Sequence, residues 1–234
     1  MQQIRNSILP NRAITSLAEY FNKELVEILY NYIQSKSIPR TFAADLIAIV
    51  RLMIRKIGNH LYNHLPTFGD MVIRSVDIAG DSSKELIIKV NNLIKTMLSK
   101  YLNVAFHQSK EFLAIGSVEG PIIVYAVKQR QRLKVLEGHE VMISAINFSK
   151  KGSRIVSYCE KERALRIWKI KAGILTFTGI LKKCYIIFVD RHQKRTKLEY
   201  KGKKEDTYPK VEFAQAKNQV ILYLSHESAF IFTV

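Results

Sequence analysis

The chain has 234 residues, a hydrophobic content of 47% and a formal net charge of +17. The hydrophobic content is that of a globular protein, and no uncharged apolar run reaches the roughly 18 residues of a membrane span. The N-terminus lacks the apolar stretch of a secretory signal. The positive charge predicts an anionic partner, namely nucleic acid, a membrane surface or an acidic protein. Two cysteines, Cys159 and Cys184, are too few for a disulfide framework or a zinc site and predict reduced thiols in a cytosolic protein.

The first hundred residues predict an α-helical solenoid-like region or bundle. Apolar side chains recur there at helical spacing. Pro39 is expected to end the first helix, and Thr41 is the predicted N-cap of the second. The second helix is apolar nearly all round, which predicts a central position. Short connections predict antiparallel neighbours. The predicted helices cover 13–33, 42–57, about 66–78, and a fourth that starts at Ser82 or Ser83 and runs to 98.

From about residue 101 the pattern changes to short runs rich in Ile, Val, Phe and Tyr, separated by turn residues or charges. This pattern predicts the strands of a sandwich, a barrel or a propeller. The predicted fold is therefore α+β in two regions, 1–100 and 101–234. The expected strands are 112–115, 122–127, 143–148, 154–158, 165–170, 220–224 and 230–234.

An internal repeat favours the propeller. Segments 112–127 and 154–170 both run from a strand through a polar turn with an acid to a strand that closes on an aromatic residue. The acid precedes the aromatic residue by six positions in each copy. The two aromatic residues are 43 positions apart, within the period of about 40 to 45 of a propeller blade. A weaker third copy is predicted at 220–234. In the first two copies, the acid and the aromatic residue are Glu119 with Tyr125 and Glu162 with Trp168.

The second copy resembles a WD repeat: Gly138 and His139 precede a strand that ends in Phe-Ser-x-x-Gly, and a hairpin ends in an aliphatic residue and Trp. The resemblance covers 133–170, and 102–132 more weakly. It implies a β-propeller of four-stranded blades, each fixed by hydrogen bonds among a loop His, a Ser, a turn acid and the Trp. The structural residues so implied are Gly138, His139, Ser157, Glu162 and Trp168, with Glu119 and Tyr125 in the first copy. Because Glu replaces Asp, and the first copy lacks Gly-His and Trp, we expect incomplete ladders in both.

Three partial blades cannot close a ring, since a propeller has at least about four. The sequence therefore predicts that the missing blades come from another chain or from a longer native polypeptide.

The order of helices and then WD repeats resembles the C-terminal end of the beta subunit of rabconnectin, a family of large WD-repeat scaffolds. Segments 65–77 and 218–234 and the Gly138-His139 blade carry this resemblance. It implies a non-enzymatic scaffold that works with the alpha subunit of rabconnectin to regulate the vacuolar proton-pumping ATPase. It also implies a cytoplasmic protein with peripheral contact to vesicle or vacuolar membranes.

The sequence supplies no catalytic, cofactor or metal site, and we predict that the protein is not an enzyme. It contains no P-loop and no Gly-x-Gly-x-x-Gly motif. Gly116, Ser117 and Gly120 resemble a nucleophile elbow only superficially, because Ser117 lies on a predicted blade strand. His60 and His64 have a spacing that suits zinc, but no third ligand is placed.

The stretch 182–204 has a net charge of +7 and is predicted to be an insertion between the second and third blades. Two interpretations stay open: a solvated loop, or a contact with lipid headgroups or RNA phosphates. The alternative function is thus a WD-repeat subunit of an RNA-containing particle. Nucleic acid is the less favoured partner, because no RNA-binding motif appears and interleaved aromatic residues are few, namely Tyr200 and Tyr208. The candidate contacts are Lys194, Arg195, Lys197, Lys203 and Lys204.

Overall fold

The structure is a computed structural model that describes residues 22–35, 38–80, 83–170, 184–188, 196–198, 209–214, 219–225 and 228–233. The chain divides into two units, Met1–Leu93 and Ile94–Val234. The division falls within a helix, close to the change in sequence pattern near residue 101. None of the described helices combines the length and the hydropathy of a membrane span.

Four described helices precede the strands, as the sequence predicts. Two short 3-10 turns, Gly58–His60 and Tyr62–His64, connect the second and third helices. The predicted N-cap at Thr41 is wrong: the second helix begins at Arg40, and extended Pro39 precedes it without a side-chain cap. Proline suits this place because its fixed φ leads into the helix. The helices are α1 at 22–34, α2 at Arg40–Ile57, α3 at Leu65–Ala79 and α4 at Lys84–Lys100.

Helix α2 is not buried all round, which corrects the prediction of a central position. Its exposed face includes Phe42, Ile49 and Leu52, which are 43%, 43% and 54% exposed. Tyr32 of α1 contacts Phe42 edge to face, with ring centroids 6.0 Å apart. Apolar composition alone did not distinguish a central helix from one with an exposed apolar strip. The buried residues of α2 are Ala43, Ala44, Leu46, Ile47, Val50, Met53 and Ile54.

Three antiparallel four-stranded sheets follow and form an incomplete β-propeller, as predicted. We call them blades 1 to 3. Blade 1 contains β1 (Val104–His107), β2 (Phe112–Gly116), β3 (Ile122–Ala126) and β4 (Gln131–Leu136). Blade 2 contains β5 (Ala145–Phe148), β6 (Arg154–Cys159), β7 (Ala164–Lys169) and β8 (Cys184–Phe188). Blade 3 contains β9 (Thr196–Leu198), β10 (Lys210–Phe213), β11 (Gln219–Ser225) and β12 (Ser228–Thr233).

Two segments of the predicted insertion at 182–204 are strands of the blades, which corrects that prediction for these segments. Strand β8 pairs with β7 and completes blade 2. Strand β9 pairs with β12, so the strand order of blade 3 is β10-β11-β12-β9. In blades 1 and 2 the strand order follows the chain. The outermost strand of blade 3 therefore comes from a segment that precedes the other three strands.

The innermost strands β1, β5 and β10 lie side by side and join the blades. The Ile146 amide donates to the Leu102 carbonyl at 3.0 Å, and the Asn147 side chain donates to the Val211 carbonyl at 3.2 Å. Apolar side chains fill both spaces between blades. The core between blades 1 and 2 includes Phe112, Val124, Ile143, Phe148, Ile155 and Trp168. The core between blades 2 and 3 includes Val156, Tyr158, Leu165, Ile167, Leu222 and Phe232.

The antiparallel strands give blades 1 and 2 two distinct ends. We call the end that carries the β1–β2, β3–β4 and β5–β6 turns the lower end. The end that carries the β2–β3, β4–β5 and β6–β7 connections is the upper end. Glu111, Arg130 and Arg163 each close a four-residue turn with positive φ, between 51° and 57°. The same turn geometry therefore recurs in both blades.

Candidate functional site

The upper end of blade 2 brings four of the predicted residues into one hydrogen-bonded ladder. Trp168 Nε1–H donates to Ser157 Oγ at 3.2 Å, and Ser157 Oγ lies 2.9 Å from His139 Nε2. On the other side of the imidazole ring, His139 Nδ1 lies 2.6 Å from Glu162 Oε2. The expectation of an incomplete ladder is therefore wrong for blade 2.

A neutral imidazole satisfies every group in this ladder. Nδ1–H of His139 donates to the Glu162 carboxylate, and Nε2 accepts the Ser157 hydroxyl proton, which leaves the hydroxyl oxygen to accept from Trp168. Burial lowers the pKa of His139, and the hydrogen bond with Glu162 offsets this only in part. The ring is therefore neutral near pH 7.

Glu162 links the β6–β7 turn to the β4–β5 loop. Its second carboxylate oxygen accepts the Glu140 backbone N–H, and the Arg166 guanidinium lies 3.7 Å from the carboxylate. Burial acts to raise the pKa of Glu162, but the hydrogen bonds from His139 and the Glu140 amide outweigh it, so the pKa is lowered. The carboxylate is thus charged at neutral pH. The extra methylene group of Glu lets the acid reach His139 from a longer turn.

Two glycines allow the close packing around the ladder. A Cβ atom on Gly138 would lie 2.7 Å from Cη2 of Trp168. Gly120, in the β2–β3 turn of blade 1, has φ +108°, and a Cβ atom there would lie 2.0 Å from the His139 carbonyl oxygen. The sequence motif identified Gly138 and missed Gly120. The only signal for Gly120 was its place in a polar turn.

Blade 1 holds different residues at the places of this ladder. Glu119 is exposed, and its backbone N–H donates to Ser117 Oγ at 3.2 Å. Tyr125 is fully buried. The residue two positions before the aromatic residue pairs with Ser157 in blade 2 and with Ile115 in blade 1. An apolar side chain therefore stands where blade 2 has its hydroxyl group.

A different polar contact fixes the innermost strand of blade 1. The Asn103 side-chain amide donates to the Gly116 carbonyl at 2.8 Å, and the Gly116 amide donates to the Asn103 carbonyl at 2.8 Å. Asn103 is 1% exposed. Sequence analysis missed Asn103, which no motif marked.

The Ser157, His139 and Glu162 side chains have the order and distances of a Ser-His-acid triad. Ser157 is nevertheless fully buried, and its oxygen already accepts a hydrogen bond from Trp168. A nucleophile must be reachable by its substrate, so this arrangement serves structure rather than acyl transfer. Ser117 is followed by a turn and β3 instead of the helix that a nucleophile elbow requires.

His139, Cys159 and Glu162 also offer metal-ligand atoms within 4.8 Å of one another. Both imidazole nitrogens are already hydrogen-bonded. Burial raises the pKa of the Cys159 thiol, which donates to the Met142 carbonyl at 3.4 Å. The nearby Arg166 guanidinium opposes a cation. The ladder therefore accounts for this cluster without a metal ion.

His60 and His64 belong to two successive 3-10 turns rather than to one helix. They line an open cavity of about 650 Å³ together with Lys23, Glu27 and three neighbouring residues. Burial lowers the pKa of His64. The helical spacing that would have suited zinc is therefore not formed.

The predicted anionic-partner contacts fall mostly outside the described residues. This holds for Lys194, Arg195, Lys203 and Lys204. Lys197 lies in β9 and pairs with Phe230 of β12.

No protein-family model matches the sequence. Among solved structures, the chain is similar to the β-propeller domain of Myceliophteria thermophila Cps50 (Swd1), with 16% identity and a TM-score of 0.39. The match covers 57% of this chain and 34% of that structure, so the chain spans about a third of it. The four-stranded blades and the ladder of blade 2 show a WD-repeat-like, incomplete β-propeller.

Proposed function

We propose that this chain is a non-enzymatic scaffold that mediates protein-protein interactions within a larger assembly. The observation that carries the proposal is the ladder of blade 2. Its polar groups satisfy one another in a buried position, which stiffens the blade and leaves no group free for chemistry. A rigid blade presents its loops to partners in a fixed arrangement.

The number of blades supports an assembly. The described sheets make three blades. A closed propeller has at least about four. A ring is complete when each blade packs against a neighbour on both faces. We therefore propose that the remaining blades come from another chain or from more of the same polypeptide.

The finer proposal is a rabconnectin-like regulator of vacuolar proton-pump assembly, with the alpha subunit of rabconnectin and pump subunits as partners. It is supported by the sequence resemblance of 65–77, of the Gly138-His139 blade and of 218–234, and by the order of helices before blades. The protein would be cytoplasmic and peripheral on vesicle or vacuolar membranes.

Affinity purification of the tagged chain from its own cells tests both levels. The scaffold proposal expects stoichiometric protein partners, and the finer proposal expects pump subunits or the alpha partner among them. A matched pair of variants, Trp168→Ala and Trp168→Phe, separates partners that need the folded blade from background. Recovery of RNA that is lost between about 50 and 200 mM salt, without protein partners, would favour the RNA-particle alternative.

A further inference from the structure

The two ends of blades 1 and 2 carry opposite charge. The lower end has seven basic residues and one acid, whereas the upper end has five acids and three basic residues. The positive charge of the chain is therefore concentrated on one described surface, in addition to the segment 182–204. The lower-end residues are Lys110, Lys128, Arg130, Lys150, Lys151, Arg154 and Lys169, with Glu111. The upper-end residues are Glu119, Glu137, Glu140, Glu160 and Glu162, with Lys161, Arg163 and Arg166.

Four lysines of the lower end are exposed: Lys110, Lys128, Lys150 and Lys151. Within the described part of the chain, none of their ammonium groups forms an ion pair. Like charges held together on a surface repel one another, and an anionic partner relieves this repulsion. We call these four residues the lysine face.

A buried histidine holds the two blades together beneath the lysine face. His107 accepts the Lys110 backbone N–H at Nδ1, at 3.2 Å, and its Nε2–H donates to the Lys150 carbonyl at 3.0 Å. Its ring packs edge to face against Phe148. Gly152 leaves room for this ring, since a Cβ atom there would lie 3.0 Å from it. The turns of the two blades are thus fixed to each other, and the lysines form one surface.

We propose that the lysine face docks the protein on a membrane that contains anionic lipids. Mobile headgroups adjust to lysine point charges, so the contact needs no shaped pocket. The lower-end aromatic rings of Phe112 and Phe148 are buried and that of Phe106 in β1 is half-buried, so few described aromatic rings there are open to base stacking. Large exposed apolar residues are also missing among the described lower-end residues, so the contact is electrostatic, without insertion.

This inference rests on the proposed peripheral contact with membranes and names the lysine face as the surface that makes this contact. Its failure is distinguishable from failure of the scaffold proposal, because vesicle binding requires no protein partner. If the chain recovered protein partners but did not bind anionic vesicles, the lysine-face proposal would be rejected and the scaffold proposal would stand.

Co-sedimentation of the full chain with phosphatidylcholine vesicles, with and without phosphatidylserine, tests the proposal. The test variant carries Lys110→Gln, Lys128→Gln, Lys150→Gln and Lys151→Gln. The matched control carries Lys56→Gln, Lys84→Gln, Lys95→Gln and Lys100→Gln, which removes the same charge from exposed helical positions. Circular dichroism melts establish that all three proteins are folded.

The wild type and the control should bind the anionic vesicles, and binding should weaken with salt. The test variant should lose roughly several hundredfold in partition coefficient, since each of the four lysines contributes about a factor of five at an anionic surface. Equal losses in the two variants, or none in the test variant, would overturn the proposal. So would binding of a short RNA by the wild type without binding to anionic vesicles.

Discussion

Blades 1 and 2 have the same strand order but different interiors. Blade 2 connects Trp168, Ser157, His139 and Glu162 by hydrogen bonds. Blade 1 buries Ile115 at the place of the serine and connects Asn103 to Gly116 instead. One backbone arrangement can therefore be held either by a polar ladder or by apolar packing. The ladder should make blade 2 sensitive to single polar changes and to pH.

The largest effect is expected for Trp168→Ala. Trp168 is 5% exposed, packs between the two blades and donates to Ser157. Its removal leaves a cavity and an unpaired hydroxyl, and should lower the free energy of unfolding by about 3 to 5 kcal/mol. Urea denaturation followed by circular dichroism measures this. Trp168→Phe keeps most of the packing and should cost about 1 to 2 kcal/mol; equal losses would contradict a packing role.

His139→Ala should have the next largest effect. It leaves the Ser157 hydroxyl and the Glu162 carboxylate without their partner in a largely buried place. We expect a loss of about 2 to 3 kcal/mol in the free energy of unfolding. Trp168 is the sole tryptophan, so its fluorescence reports unfolding of blade 2. The control Glu140→Ala alters an exposed side chain and should stay within about 0.5 kcal/mol of wild type.

Gly138→Ala should cost about 1 to 3 kcal/mol, because its Cβ atom would displace the Trp168 ring. The clash depends on the size of that ring. In a Trp168→Phe background the added cost should therefore shrink, which thermal melts of the two single variants and the double variant can measure. An unchanged cost in that background would place the strain in the backbone instead.

The smallest effect concerns pH. The pKa of His139 is lowered in the folded protein, so the unfolded chain binds the extra proton below about pH 6.5 and stability falls there. The lowered pKa of Glu162 acts in the same direction at lower pH. The contribution of this carboxylate to stability declines as the pH falls below 4.5, the ordinary pKa of a glutamate. Urea denaturation at pH 5 to 8 should show a slope in the wild type, at most about 1.4 kcal/mol per pH unit for one proton.

The variant His139→Gln should lose the part of this slope near pH 6. The histidines elsewhere in the chain are unchanged in this variant, so the difference between the two proteins isolates His139. An identical slope in both proteins would show that another group causes the pH dependence.

Helical spacing predicted α2, α3 and α4 within a few residues, because apolar residues at steps of three and four are a local signal. The exposed strip of α2 was not predictable from that helix alone. Which apolar side chains are covered depends on neighbouring helices rather than on local spacing. Phe42 and Leu52 illustrate this, since both are as apolar as the buried residues beside them.

The middle strands of the blades were predictable, whereas the outermost strands and the innermost strands β1 and β10 were not. Strands β2, β3, β6 and β7 are largely buried, so their sequences are rich in Ile, Val and aromatic residues. Strand β4 is mostly exposed, and its polar residues do not give the apolar pattern by which a strand is recognised in a sequence. The pairing of β9 with β12 joins segments about 30 residues apart in the chain, a contact that local patterns do not encode.

The residue types of the site were visible in the motif, but the completeness of the ladder was not. The sequence showed only that Glu162 stands where the WD-repeat motif has Asp, in a turn longer than that of the motif. Only the structure shows that its longer side chain reaches His139 at 2.6 Å. Two of the contacts between blades 1 and 2, Gly120 against His139 and His107 with Lys150, join residues distant in sequence and left no motif.

A double-mutant cycle of His139→Ala and Ser157→Ala tests most directly whether the ladder is the structural centre of blade 2. Free energies of unfolding of the wild type, both single variants and the double variant give the coupling energy. The ladder predicts a coupling of about 1 to 3 kcal/mol, because either single change already breaks the shared hydrogen bond. Losses that add to within about 0.3 kcal/mol would contradict it.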